Sequence, residues 1–160
     1  MSNTVYIAVG APGCGKSSWW ERALAEGKID GETSQRVNMD IIRKDITGSV
    51  QDQSKNALVA KIADQNLKSA LSHRIPVIYW DNTSAQPRYR KNVIKQAKKA
   101  GYKCVAIHFD LNLETILERN AGREIVVPED VVRRMFNSIK KNPPDMDEGY
   151  DNIITILEDE

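Results

Sequence analysis

Gly10-Ala11-Pro12-Gly13-Cys14-Gly15-Lys16-Ser17 decides how this chain reads: a glycine, four residues, then Gly-Lys-Ser, the spacing of a phosphate-binding loop. Thr4 to Val9 before it reads as a short buried strand, and Ser18 to Ala25 after it as a helix. That is the context the motif requires. Turned inward at a helix N-terminus, the loop's backbone N–H groups form an anion nest, and the helix dipole favours phosphate there. Lys16 then reaches the β- and γ-phosphates of a nucleotide, and the Ser17 hydroxyl holds Mg²⁺. The nucleotide-binding candidates are Gly10, Gly13, Cys14, Gly15, Lys16, Ser17 and Ser18. Cys14 fills a position whose backbone meets phosphate, so its thiol is expected to be chemically bland, although a helix N-terminus lowers thiol pKa.

At 160 residues the chain suits one compact domain spanning 1–160, able to bury a core without staples. Two cysteines make no disulfide framework and suit a reducing cytoplasm. No basic segment followed by an apolar run opens the chain, and no stretch reaches membrane-spanning length. The expectation is a cytoplasmic protein that does not engage membranes. A net charge of +1 gives no global pull on nucleic acid, although a small groove needs only a few local cations.

Downstream of the loop, Trp20, Ala23 and Leu24 make a helical stripe with Trp19 beside it, and core roles are expected of both tryptophans. Gln35 to Asn38 reads as a second strand, ending at Asn38-Met39-Asp40, with a short helix from Ile41. Gln53 to Ser72 is a long amphipathic helix with Ala57, Leu58, Ile62, Ala63, Leu67, Ala70 and Leu71 inward. Pro76 to Trp80 is a strand ending at Asp81-Asn82-Thr83-Ser84. Gln86 to Ala100 is a helix with Tyr89, Val93, Ala97 and Ala100 inward, and Lys103 to Phe109 is the next strand. A short helix over Leu113 to Asn120 breaks at Ala121-Gly122, and Pro128 opens a helix that buries Val131, Val132, Met135, Phe136 and Ile139. Asn152 to Leu157 is a last strand before an acidic tail. Alternating strands and helices give an α/β fold: a mainly parallel sheet, helices on both faces and a helical lid. Ligands in such folds sit at the carboxyl ends of strands, where Gly10, Asp40 and Asp81 all fall.

The surrounding residues choose among switch, hydrolase and kinase. No Asn-Lys-x-Asp base reader of a GTPase occurs, and Asp45-Ile46-Thr47-Gly48, which has the spacing of a switch motif, follows a helical pattern. Asn82 follows Asp81 where a hydrolytic motor has an acid to activate water. A kinase instead needs a base for the acceptor hydroxyl and cations for the transferring phosphoryl group. Asp40 suits the base, or equally an N-cap of the next helix; Arg43 suits an acceptor phosphate. Arg119 and Arg123, four apart, run into a glycine-broken segment that suits a lid. Arg88, Arg90, Lys91, Lys95, Lys98 and Lys99 make the helix after Asp81 strongly basic, which fits either a solvated face or a nucleic-acid backbone. His73 and His108 are too few and too far apart for a metal site.

Taken in order, these residues resemble the P-loop polynucleotide 5′-hydroxyl kinases, the kinases of phage end-healing enzymes and of metazoan DNA-repair kinase-phosphatases. The resemblance rests on Gly10 to Ser17, Asn38-Met39-Asp40 with Arg43, Asp81-Asn82-Thr83, and Arg119-Asn120 with Arg123. It continues through Val127-Pro128-Glu129-Asp130-Val131 to Pro143-Pro144 and Glu148-Gly149-Tyr150, nearly the whole chain. It implies ATP as phosphoryl donor, Mg²⁺, and a DNA or RNA strand with a free 5′-hydroxyl as acceptor. By the same resemblance Asp40 is the general base, Lys16 and Arg123 act on the transferring phosphate, and Arg119 is a second lid arginine. Arg43, Asp81 and Thr83 then serve the acceptor side, and Ser17 with Asp81 the metal. Ser84 stands where many members carry Asn, Met39 where Arg is common, and no Asp-x-Asp-x-Thr phosphatase signature is present. Broader kin act on hydroxymethylated bases in phage DNA, nucleosides or sugars. A non-catalytic nucleotide-binding module is the remaining reading.

Overall fold

Short apolar runs separated by amphipathic stretches fold as parallel strands joined by helical crossovers. The structure is a computed structural model describing residues 2–157; the acidic tail lies outside them. In chain order come β1 (Thr4–Val9), α1 (Lys16–Ala25), β2 (Ser34–Val37), α2 (Met39–Thr47), α3 (Asn56–Ser72), β3 (Val77–Trp80) and α4 (Pro87–Lys99). Then follow β4 (Lys103–Phe109), α5 (Leu113–Ala121), α6 (Glu129–Lys141) and β5 (Asn152–Ile156). All strand pairs are parallel, in the order β2-β3-β1-β4-β5. The chain reverses direction across the sheet at β1, so the crevice for a ligand opens past the end of β1.

Alternation along each strand divides the core. Val5, Ile7 and Val9 join Ile78, Trp80, Cys104 and Ala106 on one face, which α2, α3 and α4 cover with Ile42, Val59, Ala63, Leu67, Val93 and Ala97. Ala8, Tyr79 and Ile107 point to the other face, covered by Trp20 and Ala23 of α1, Ile116 of α5 and Val132 of α6. Trp20 stacks on Tyr79 with ring centroids 5.2 Å apart and planes at 9°, and Trp19 lies 5.2 Å from the same ring. Both tryptophans are packing residues, as the helical stripe implied. No helix among the described residues is long and apolar enough to cross a membrane.

Four local readings change. Helix α1 begins at Lys16, not Ser18, so the motif lysine and serine are themselves the first helical turn. Helix α2 begins at Met39 rather than Ile41, and its last turn holds Asp45-Ile46-Thr47, with Gly48 as the cap. In α3 the stripe is Val59, Ala63, Leu67, Ala70 and Leu71, while Ala57 and Leu58 are exposed in the first turn; the α-helix begins at Asn56, after a 3-10 turn over Gln53–Lys55. In α4, Tyr89 is 54% exposed and its neighbour Arg90 is fully buried.

Arg90 is inward because a set of acceptors meets it there. Its Nε and Nη2 donate to Glu148 Oε1 and Oε2 at 2.8 and 2.9 Å, a two-pronged pair. Nη1 donates to Ser84 O at 3.0 Å, and Nη2 also to Asn142 O at 2.9 Å. Glu148 in turn accepts from the Asp145 N–H and from the Tyr150 hydroxyl, whose pKa burial pushes well up. One guanidinium thus joins the segment after β3, the end of α6 and the approach to β5. Removing one partner of a buried, bonded ion pair costs about 3–5 kcal/mol. Arg90→Met is expected to lower the melting temperature by on the order of 10 °C, since about 1 kcal/mol shifts a domain of this size by 2–4 °C. Thermal and urea melts check this, and a shift below about 2 °C would show that the pair contributes little.

Candidate functional site

The phosphate loop leaves β1 at its carboxyl end and turns directly into α1. Gly13 and Gly15 have φ of 91° and 103°, the left-handed region where a side chain is strained. Gly13 has a second constraint: a Cβ there would lie 2.9 Å from Ile116 O and 3.2 Å from Asn120 N, so the loop touches the backbone of α5. Gly15 is the N-cap of α1 and has no side chain to satisfy the first-turn N–H groups. Those donors are left for an anion, with no acid in the first turn to oppose it.

Lys16 Nζ folds over the loop, donating to Gly10 O at 2.8 Å and Ala11 O at 3.2 Å. The Lys16 carbonyl accepts from the Tyr79 hydroxyl at 2.7 Å, which ties the start of α1 to β3. Cys14 is buried, its Sγ in the space a Cβ on Gly10 would occupy. Burial pushes its thiol pKa up and outweighs the lowering by Lys16, so the thiol stays protonated and unreactive. Ser17 and Ser18 are exposed at the first turn of α1.

The ends of β2 and β3 are laced together beside the loop. The Asp81 N–H donates to Val37 O at 2.9 Å, the Met39 N–H to Asn82 Oδ1 at 2.9 Å, and the Gly10 N–H to Thr83 O at 3.2 Å. Thr83 therefore meets the loop through its carbonyl. Asp81 is 1% exposed, and three groups converge on its Oδ2: Arg36 Nε at 2.8 Å, Asn38 Nδ2 at 3.2 Å and Ser17 Oγ at 3.4 Å. Arg36 Nη2 lies 2.7 Å from the same oxygen and donates to Ser17 Oγ at 2.8 Å. Asp81 Oδ1 is buried with no partner. Ser17 and Asp81, paired in the sequence reading, are thus brought together, with a cation between them that the reading missed. The signal for Arg36 was an arginine on the edge strand β2, one residue from a buried valine.

Asn38, not Asp40, caps α2: its Oδ1 accepts from the Ile41 N–H at 3.0 Å while its Nδ2 donates to Asp81 O at 3.0 Å. The capping alternative for Asp40 falls away. Asp40 is the second residue of the helix, with a 60% exposed side chain, and accepts from Arg43 Nη1 at 2.6 Å. Arg43 is 11% exposed and also donates to Asn56 Oδ1 at the start of α3 at 3.1 Å. Asp40 and Arg43 are held together at the carboxyl end of β2.

On the far side of the loop, α5 presents Arg119 to it: a Cβ on Gly15 would lie 3.5 Å from Arg119 Nη1. Arg123 does not share that helical face, because α5 ends at Ala121 and Gly122 is its cap. Its exposed side chain lies in the segment between α5 and α6, whose far end is pinned. Asn120, 3% exposed, donates to Val127 O at 2.7 Å and accepts from the Val127 N–H at 3.0 Å. Ser84 has φ 50°, a backbone conformation that Asn tolerates better than Ser. Among the described residues no cluster of three or more His, Cys, Asp or Glu is placed to hold a metal.

Residues 5–143 match the AAA domain family. A curated relative, the L-seryl-tRNA(Sec) kinase of Methanococcus maripaludis, is 26% identical over 133 residues, 81% of this chain and 50% of that protein. A chain of the Pnkp1/Rnl/Hen1 RNA repair complex superposes with a TM-score of 0.72 at 19% identity, over 88% of this chain and 45% of that one. A fungal RNA kinase superposes with 0.62 at 16% identity, over 100% of this chain and 40% of that one. The chain spans about half the length of the curated relative, and less of the two solved chains. The family match runs from β1 to just past α6, far beyond the loop alone, and with the α/β fold of P-loop kinases around it the chain belongs to the AAA domain family.

Proposed function

We propose that the chain transfers the γ-phosphate of ATP to the 5′-hydroxyl end of a nucleic-acid strand. The observation that carries this is the Asp40–Arg43 pair: an exposed carboxylate, released from capping by Asn38, beside a cation at the strand end next to the phosphate loop. Of the similar proteins, the three described above are named for RNA, which supports a nucleic acid on the acceptor side.

In this reading Arg43 holds a phosphate of the acceptor and Asp40 takes the proton of its 5′-hydroxyl. The oxygen attacks the γ-phosphorus in line, the bond to the β,γ-bridging oxygen breaks, and ADP leaves. Lys16 exchanges the carbonyls of Gly10 and Ala11 for phosphate oxygens, and Arg119 and Arg123 add positive charge from the α5 side. The oxygens that would hold Mg²⁺ are Ser17 Oγ and the Asp81 carboxylate. They fit a cation, since a guanidinium already sits between them and Asp81 Oδ1 has no partner. A Mg²⁺ held by these oxygens would neutralise charge on the donor phosphates. The seryl-tRNA(Sec) kinase favours a second reading, in which the hydroxyl belongs to another group carried on RNA.

Labelled γ-phosphate transfer from ATP with Mg²⁺ to matched oligonucleotides, one with a free 5′-hydroxyl and one blocked, tests the proposal. Label on the free end alone is expected. Label on neither, with label on a seryl-tRNA, would move the function to the second reading. Asp40→Ala is expected to lower turnover by about 10²- to 10⁴-fold with ATP binding nearly intact. A variant that keeps more than about a tenth of the rate would remove Asp40 as the base.

Arg36→Gln leaves the buried Asp81 carboxylate without its cation. Melting in chelator is expected to fall by the equivalent of about 1–3 kcal/mol, and millimolar Mg²⁺ without nucleotide should restore part of it. The wild type, with Arg36 already in place, should respond little to Mg²⁺ alone. A variant that melts like the wild type and ignores Mg²⁺ would show that Arg36 and the metal do not share the Ser17–Asp81 oxygens.

A further inference from the structure

Helix α4 has six cations and no acid between Pro87 and Lys99, in a chain whose charges as a whole nearly balance at +1. The fold sorts the six. Arg90 turns inward to Glu148, and Lys98 pairs with Asp151 beside β5. The other four, Arg88, Lys91, Lys95 and Lys99, are all exposed. Steps of three, four and four residues put them in one straight line along the helix, about 16 Å long at 1.5 Å per residue.

Among the described residues no acid pairs with this line. Asp64, across the groove of about 380 Å³ between α3 and α4, is taken by Lys68 at 2.9 Å and by Gln96 at 2.8 Å. Like charges three and four apart repel, whereas a face that is merely solvated interleaves signs. The line also has a direction. Because α4 crosses between the parallel strands β3 and β4, its first turn lies at the end of the sheet that holds Asp81 and its last turn at the opposite end. At the first turn Tyr89 is 54% exposed, with the Arg88 guanidinium 4.7 Å from its ring centroid and Arg88 Nη2 bonded to its hydroxyl at 2.8 Å. An exposed aromatic under a guanidinium is a stacking surface for a base.

We infer that α4 carries the body of the acceptor strand: a single-stranded phosphodiester backbone follows Arg88, Lys91, Lys95 and Lys99 away from the site, and Tyr89 stacks a base near the reacting end. This rests on the reading of the acceptor as nucleic acid. The line spans on the order of five stacked nucleotides at about 3.4 Å each.

The test is binding of a fluorescent 12-nucleotide single strand with a free 5′-hydroxyl across a salt series, by the wild type and by Lys91→Gln/Lys95→Gln/Lys99→Gln. Lysine and glutamine have similar helix propensity, and an unchanged melting temperature confirms that α4 is intact. Each phosphate contact contributes about 0.7 to the slope of log K against log salt, so the triple variant should lose about 2 from it. Its affinity at low salt should fall on the order of 10- to 100-fold. Tyr89→Ala should weaken binding about tenfold with the slope unchanged. Phosphate transfer to a nucleoside 3′-monophosphate, too short to reach α4, should proceed at the wild-type rate in the triple variant. A salt slope and affinity unchanged in the triple variant overturn the inference. Absence of transfer to any 5′-hydroxyl by the wild type would overturn the function reading instead, while the slope still decides the surface.

Discussion

A carboxylate that is 1% exposed at the end of the central part of a sheet must be met by donors, and Asp81 organises its surroundings on that condition. Arg36 reaches it from β2, Asn38 from the cap of α2 and Ser17 from the first turn of α1. Three elements that are far apart in the chain therefore share one point of charge. The separation of Asp40 from Asn38 follows from it: Asn38 divides its amide between the helix cap and Asp81, which leaves the aspartate two residues on exposed and paired with Arg43. The electrostatic demand at the end of β3 thus sets the geometry of the Asp40–Arg43 pair.

The segment carrying Asp81 is also fixed from behind. Ser84, in a left-handed backbone conformation, gives its carbonyl to Arg90, and Arg90 is held by Glu148 and the end of α6. Thr83, between the two anchors, gives its own carbonyl to the Gly10 N–H at the root of the phosphate loop. A residue that touches no candidate ligand therefore governs the position of residues that do, and a loss at Arg90 would reach the loop through two hydrogen bonds.

Much of this was legible in the sequence. Strand and helix order follow from hydrophobic periodicity, and the loop, Asp40 and Asp81 fall just past strand ends as that order implies. What periodicity misjudged were the residues whose chemistry opposes their position. Arginine at 90 reads as surface and tyrosine at 89 as core, because an ion pair with a residue 58 positions away leaves no trace in a local pattern. Arg36 escaped notice for the same reason. Arg119 and Arg123 read as one helical face because a glycine cap at 122 is compatible with either continuation or arrest, and the tertiary bond from Asn120 to Val127 decides for arrest.

The contact between Gly13 and α5 is backbone against backbone: the loop meets Ile116 O and Asn120 N rather than side chains. A contact of that kind is indifferent to most substitutions on the helix it touches. The loop is therefore registered to the axis of α5 rather than to its side chains, and a slide of that helix along its axis would be passed directly to the phosphate-binding backbone.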